Sequence, residues 1–288
     1  MRILVLGSDG MLGHQLVAHF GHRFEVVGTL RGDAAAYRRI TPYLPAHPQY
    51  SVDVRLPGVI DELLNSLKPQ VVINAIGIVK QRKEAVGAIE SIEVNSVFPH
   101  RLAKSCAAIG ARLVQISTDC VFSGRDGWYT ESSTPDAVDL YGRTKLLGEL
   151  SEGQTLTLRT SIIGLELARK TSLVEWFLAQ RGTIKGYTNA IYSGFTTMEF
   201  ARILESIIVE YPQRSGLYHV ASEPIDKFTL LTMLNDRLGR RIEIIPDDSF
   251  VCDRSLDGAR FRNEFSYSPP SWESMLDELA NQIKERYG

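Results

Sequence analysis

Short apolar runs alternate with segments of helical spacing through the first 160 residues or so, and the alternation predicts the elements. Arg2–Leu6 is an apolar run of strand length, and Met11–Phe20 repeats its apolar residues at helical intervals. Phe24–Leu30 predicts a second strand, and Gln49–Val54 a short third one ending near Asp53. Between them, residues 31–50 hold Gly32, Pro42, Pro45 and Pro48 and read as an irregular connection. Val59–Leu67 has helical spacing and stops before Pro69. Gln70–Ile76 is an apolar run of the kind buried on both faces of a sheet. Gly87–Ile109 predicts a long helix, stopped by Gly110 and bent or broken at Pro99. Arg112–Ser117, Leu140–Leu150 and Thr155–Thr160 then predict strand, helix and strand.

Such alternation implies right-handed crossovers and an α/β class: a doubly wound parallel sheet with helices on both faces. After about residue 160 the rhythm loosens. Leu173–Gln180, Thr197–Val209, Lys227–Leu238 and Trp272–Tyr287 predict helices, and Leu217–Val220 and Arg241–Ile245 predict strands. The expected division is a first domain over 1–160, with a segment at about 189–215 returning to it. Residues 161–288 mainly form a smaller C-terminal α/β lobe, with no flexible linker between the two.

The 288 residues are 44% hydrophobic, enough for a sizeable core. A net charge of -2 leaves no basic bias, so neither nucleic acid nor an anionic membrane is expected as a partner. No apolar run is long enough to span a bilayer. Cys106, Cys120 and Cys252 are scattered without metal-ligand spacing, so no metal site is expected. Sparse, odd-numbered cysteines and an N-terminus that reads as strand rather than signal peptide point to the cytoplasm.

Gly7-Ser8-Asp9-Gly10-Met11-Leu12-Gly13 joins the first strand to the first helix. Glycines at these positions allow a tight turn, close approach of backbone to a pyrophosphate and close helix packing, while the helix amides face the phosphates. An ordinary tight turn uses glycine too, but the strand–turn–helix setting is the one that dinucleotide binding requires. The second strand ends Val27-Gly28-Thr29-Leu30-Arg31, without the acid that would hold the ribose of NAD. Arg31 fits a 2′-phosphate, which favours NADPH, and equally fits a solvated surface position. Asp33 keeps NADH admissible. Asp53-Val54 is placed either to cap the adenine or to make a plain strand-end turn.

Tyr141 and Lys145 are four residues apart, on one face of the predicted helix. A free phenol titrates near ~10. A neighbouring ammonium favours the phenolate and is expected to lower that value. Tyr141 then protonates a carbonyl oxygen while hydride reaches the carbon, and Lys145 holds the nicotinamide ribose. Thr118, at the end of the fifth strand, donates a second hydrogen bond to that oxygen. Asn95, on the long helix, either holds backbone or water near the site or packs the helix. An exposed amphipathic helix would explain the Tyr–Lys spacing alone, but not its coincidence with the glycine loop and the strand-end threonine.

With these segments the chain resembles the extended short-chain dehydrogenase/reductase family, and within it the dTDP-4-dehydrorhamnose reductase-like nucleotide-sugar 4-keto reductases. The matching segments are Gly7–Gly13, Val72–Ala75, Val94–Ser96, Ser117–Gly124, Tyr141–Glu149, Leu158–Ser161 and Gly216–His219, with a weaker match at Asp253–Leu256. The resemblance implies a Rossmann-type dinucleotide-binding domain, NADPH or NADH as cofactor, and a nucleotide-diphosphate sugar bound by the C-terminal lobe. It carries catalysis to Thr118, Tyr141 and Lys145. It carries cofactor contacts to Gly7, Asp9, Gly10, Met11, Leu12, Gly13, Asp53, Val54, Ala75, Gly77 and Lys145, beside Arg31. Asn95 and Arg254 stand as substrate contacts, Arg254 at the diphosphate or else in a surface salt bridge. Some relatives dimerise, so a homodimer is open. The implied activity is reduction of a 4-keto-6-deoxy sugar in polysaccharide or deoxysugar biosynthesis. A nucleotide-sugar epimerase with retained NAD and a regulatory subunit without turnover remain alternatives. Three departures touch the sugar pocket. Cys120 stands where related dehydratases carry glutamate and the reductases tyrosine. Ile162 stands where the reductases have tryptophan, and Ser193–Thr197 replaces their Gly-x-Pro-Thr run.

Overall fold

The computed structural model describes residues 1–33, 36, 37, 43, 44, 47–79, 87–168 and 170–288. The connection expected at 31–50 lies partly outside them. Strands β1 (Arg2–Leu6), β2 (Glu25–Leu30), β3 (Gln49–Ser51), β4 (Val71–Asn74), β5 (Arg112–Ile116) and β6 (Thr155–Arg159) form most of one parallel sheet. Its order is β11-β6-β5-β4-β1-β2-β3, where β11 is Gly216–His219. The order reverses between β1 and β4, and ligands of such sheets bind beyond the strand ends at that point. The sheet is of the Rossmann type.

The alternation along each strand explains the two helical layers. Ile3 and Val5 of β1 pack with Leu12, Leu16, Val17 and Phe20 of α1 (Met11–Phe20). Leu4 and Leu6 point the other way. They join Leu63 and Leu64 of α2 (Val59–Leu67) and Phe98 and Leu102 of a further helix. Each central strand therefore contributes to two cores, and its run reads as almost wholly apolar.

The long helix expected over 87–109 is built in three parts: α3 (Ala88–Ile92), a π-helical turn (Glu93–Val97) and α4 (Phe98–Ala108). The break expected at Pro99 falls one turn earlier. Proline has no N–H to give the carbonyl of Asn95. That carbonyl instead meets the end of α5 (Leu140–Leu147), where a methyl on Gly148 would stand 1.9 Å from it. Glycine there lets the helix of Tyr141 and Lys145 lie against the π turn.

Beyond β6 come β7 (Ile162–Ile163), α6 (Leu173–Ala179), β8 (Thr183–Tyr187), β9 (Ala190–Tyr192), β10 (Phe195–Thr196) and α7 (Thr197–Glu210). After β11 follow β12 (Ile225–Asp226), α8 (Lys227–Arg237), β13 (Glu243–Asp247), β14 (Cys252–Asp253), α9 (Ala259–Glu264) and α10 (Trp272–Tyr287). Helix α7 packs on α1 in one apolar cluster, and Glu205 accepts from Arg23 at 2.6 Å. Strand β11 adds to the sheet beside β6, past the limit of 215 expected for the returning segment. The remaining strands make small sheets: β7 with β10, β8 with β13, and β9 between β12 and β14.

Under the fifth and sixth strands lies a buried polar knot. Arg159 Nη2 contacts Glu149 Oε2 at 2.7 Å and Nε contacts Oε1 at 2.8 Å, with side-chain exposures of only 5% and 8%. Ser117 Oγ donates to the same carboxylate at 2.6 Å. Burial, and then Arg159, push the His219 ring down to about 4, so it is neutral. It donates from Nδ1 to the Tyr129 carbonyl and accepts from Arg159 at Nε2. Removing one member strands a buried charge. Glu149→Ala is expected to destabilise the protein by roughly 3–5 kcal/mol. The urea midpoint measures this, and a loss below ~1 kcal/mol would mean the pair is solvated in solution.

Candidate functional site

The turn after β1 is shaped for a close approach. Gly7 has φ +83°, a backbone region that favours glycine, and Ser8 N donates to the Thr29 carbonyl at 2.8 Å. A methyl on Gly13 would stand 2.0 Å from the Gly7 carbonyl oxygen, so only glycine lets α1 start here. Gly10 caps α1 without any side-chain bond, leaving the first amides of the helix to an outside partner. Before this turn opens a cleft of about 630 Å³, counted out into open solvent. Gly7, Asp9 and Gly10 line it, as do Arg31, Asp53, Val54, Ala75 and Gly77. Met11, Leu12 and Gly13 do not. Leu12 is core, and Gly13 acts by packing beneath Gly7. Glycine-walled, with open helix amides, the cleft fits a dinucleotide.

The far end of the cleft is charged. Asp53 is clamped by Arg55, with Nε on Oδ1 at 2.9 Å and Nη2 on Oδ2 at 2.5 Å. Those bonds hold the Asp53 carboxyl down to about 2. Arg31 Nη2 donates to Glu90 Oε1 at 2.8 Å, and Arg55 Nη1 reaches the same oxygen at 3.2 Å. Arg55 and Glu90 were not singled out in the sequence. Their pairing spans 35 residues, and only folding brings it about.

Thr118, Tyr141 and Lys145 come together at the ends of β5 and α5. Thr118 is buried and caps the 3₁₀ turn Asp119–Val121, its Oγ1 accepting from Cys120 N at 3.1 Å. Its hydroxyl proton goes to Asp119 Oδ1 at 3.0 Å, so the expected donation toward a ligand requires the hydroxyl to rotate. A methyl on Gly142 would stand 2.1 Å from the Cys120 carbonyl, and this contact seats α5 against the turn. Lys145 Nζ donates to the Ile116 carbonyl at 2.6 Å. Burial lowers its ammonium to about 8, opposed by Glu149. The expected lowering of the Tyr141 phenol is not found. Burial raises it, with Cys120 and Asp119 adding, and a hydrogen bond with Thr118 only partly offsets this. Desolvation governs the phenol, while one proton of the amine goes to the Ile116 carbonyl.

Gly77 connects cleft and cluster. A methyl there would stand 3.8 Å from Asn95 Oδ1 and 4.0 Å from Lys145 Nζ. Asn95 itself is 1% exposed, and its hydrogen bonds hold backbone beside the site, as one reading of it expected. Its Oδ1 accepts from Ile78 N at 2.8 Å, and its Nδ2 donates to the Ile78 carbonyl at 3.0 Å and to Thr144 Oγ1 at 3.1 Å. Arg254 lies on the other flank, its Nε and Nη2 donating to the Phe122 and Ser123 carbonyls at 2.9 and 3.3 Å. It faces Asp119, a buried carboxyl that burial raises and Arg254 pulls back. Asp119 follows Thr118 directly in the chain, but its facing of Arg254, far along the sequence, arises only on folding. Among the described residues, no group of three or more His, Cys, Asp and Glu side chains is placed to hold a metal ion.

Known proteins resemble this chain in sequence and in shape. Methionine adenosyltransferase 2 subunit beta of Rattus norvegicus is 30% identical over 155 residues, covering 51% of this chain and 41% of that protein. A dTDP-4-dehydrorhamnose reductase of Burkholderia thailandensis is 30% identical over 167 residues, covering 56% of this chain and 50% of the relative. The chain thus spans about half the length of these curated relatives, or less. The crystal structure of dTDP-4-dehydrorhamnose reductase from Bacillus anthracis in complex with NADP superposes with a TM-score of 0.81 over 98% of this chain and 99% of that one. At 18% identity that likeness speaks for the fold alone. The family model described as RmlD substrate binding domain matches residues 1–285, and the chain belongs to that family.

Proposed function

We propose that the protein reduces the keto group of a nucleotide-linked 4-keto-6-deoxy sugar, with NADPH as preferred hydride donor and NADH admitted. The observation that carries this is the juxtaposition at Gly77, where the wall of a glycine-rimmed cleft meets Lys145 one helical turn from Tyr141. A dinucleotide bound there supplies hydride to the ketone carbon. Tyr141, whose phenol is raised by burial and therefore protonated at neutral pH, gives its proton to the ketone oxygen. The phenolate left behind is the costly species, opposed by burial, Cys120 and Asp119. The Lys145 ammonium is the buried cation on the same helix face that offsets it. Thr118 steadies the phenol by hydrogen bonding, and Arg254 is the candidate grip for the diphosphate. Similarity to the Burkholderia reductase supports the substrate class. Similarity to a methionine adenosyltransferase subunit favours a second reading, a dinucleotide-binding subunit without turnover.

NADPH oxidation with a panel of dTDP- and UDP-linked 4-keto sugars separates the two. Turnover by the wild type is expected, with Tyr141→Phe slower by roughly 10²–10⁴-fold. Equal rates for both proteins would remove Tyr141 as the acid. Dinucleotide binding without turnover on any ketone would favour the subunit reading.

The pH profile tests Lys145. Its ammonium is present below about 8 and lost above. kcat/KM is therefore expected to fall as pH rises through about 8, and Lys145→Met to lack that limb. A limb of the same midpoint in the variant would assign it to another group.

A further inference from the structure

Glu90, in α3, carries a carboxylate that neither the glycine loop nor the Thr118–Tyr141–Lys145 cluster uses. One of its oxygens lies between two guanidiniums, with Arg31 Nη2 at 2.8 Å and Arg55 Nη1 at 3.2 Å. All three side chains line the charged end of the cleft. They are partly wetted, with side-chain exposures of 24% for Glu90, 46% for Arg31 and 36% for Arg55. Ion pairs this exposed contribute little to fold stability. Guanidiniums that hold a carboxylate are also the groups best suited to hold a phosphate.

We propose that Glu90 is a specificity-determining residue of the cleft. Its carboxylate holds the two guanidiniums that a ribose 2′-phosphate would take, and a phosphorylated dinucleotide binds by displacing it. The proposal rests on the cleft being a dinucleotide site. Arg55 is then a second phosphate ligand beside Arg31, kept in place by its bonds to Asp53. The charge balance supports the competition. Arg31 and Arg55 face Asp53 and Glu90, two positive charges against two negative, and Glu93 adds to the negative field at Arg55. A phosphate monoester brings close to two more negative charges. With Glu90 in place that charge enters a rim already neutral, and with Glu90 swung aside it meets both arginines. Glu90 thus narrows the preference for NADPH over NADH below what two arginines alone would give.

Calorimetric titration of the full chain with 2′,5′-ADP and with 5′-AMP reads this as a ratio of dissociation constants, without any turnover. Glu90→Gln is expected to shift the ratio toward 2′,5′-ADP by roughly 10-fold, the effect of one charged hydrogen-bond partner. Arg55→Gln is expected to shift it by a similar factor toward 5′-AMP, and NADPH against NADH should follow the same order. Because the two variants move the ratio in opposite directions, a shared loss of folding cannot imitate the result. An unchanged ratio in Glu90→Gln, or a shift toward 5′-AMP, overturns the proposal and leaves the dinucleotide site standing. An unchanged ratio in Arg55→Gln overturns the second ligand. Failure of the wild type to bind either nucleotide overturns the proposal and the dinucleotide site together.

Discussion

The buried amide of Asn95 ties the two halves of the site together. Its oxygen and one N–H close on the backbone of Ile78, in the wall of the cleft, and its other N–H reaches Thr144, the residue before Lys145. Ser96 repeats the link, its Oγ donating to the Thr144 carbonyl at 2.8 Å. Each bond contributes ~1 kcal/mol net, but leaving the Ile78 backbone unpaired in the interior would cost more than the bond returns. These bonds join the wall to α5 directly. The spacing between a ligand in the cleft and the groups on α5 is set by side chains that need touch neither ligand nor substrate.

That arrangement depends on a local irregularity. The π turn Glu93–Val97 inserts a residue into the helix ahead of Pro99, and Asn95 and Ser96 lie within it, both buried. A regular α-helix from residue 88 to 108 would rotate these side chains relative to α5. The proline, the π turn and Gly148 form one device. The proline leaves a carbonyl without its helical partner, the wider turn absorbs the mismatch, and the glycine lets α5 lie against that carbonyl.

Much of the fold was legible because its signals are local. The spans of α1, α2 and α10 follow from helical spacing and a nearby stop, and β1 from an apolar run closed by glycine. Most of the short strands beyond residue 160 were not legible, although β11 and β13 were read at Leu217–Val220 and Arg241–Ile245. Thr183–Tyr187 alternates exposed and buried residues over five positions and contains Gly186, a weak pattern by itself, and its partner Glu243–Asp247 lies far along the chain. Strands of two or three residues, such as Ile162–Ile163 and Ala190–Tyr192, exist only because a partner meets them. The same divide runs through the site. The glycine turn and the Tyr141–Lys145 spacing are local and could be read. The bridging of Arg31 and Arg55 by Glu90, and the facing of Asp119 by Arg254, join distant segments and could not.

The Tyr141 phenol marks where residue spacing misleads about chemistry. Four residues on a helix place an amine near a hydroxyl, but the field at the hydroxyl depends on everything around it. Here both groups are withdrawn from water, and desolvation acts in opposite senses, raising the phenol and lowering the ammonium. From ordinary values that nearly coincide, the two shifts move the groups apart, the phenol upward and the ammonium downward, without either being driven by the other. A phenol raised in this way stays protonated at neutral pH but is a weaker acid, so in the proposed reaction it would give its proton only to an oxygen made strongly basic by hydride addition. The ammonium matters at the next moment, when the phenolate must be tolerated beside Asp119 and Cys120. On the proposed reading, burial keeps the proton on the phenol and the Lys145 ammonium would limit the cost of releasing it.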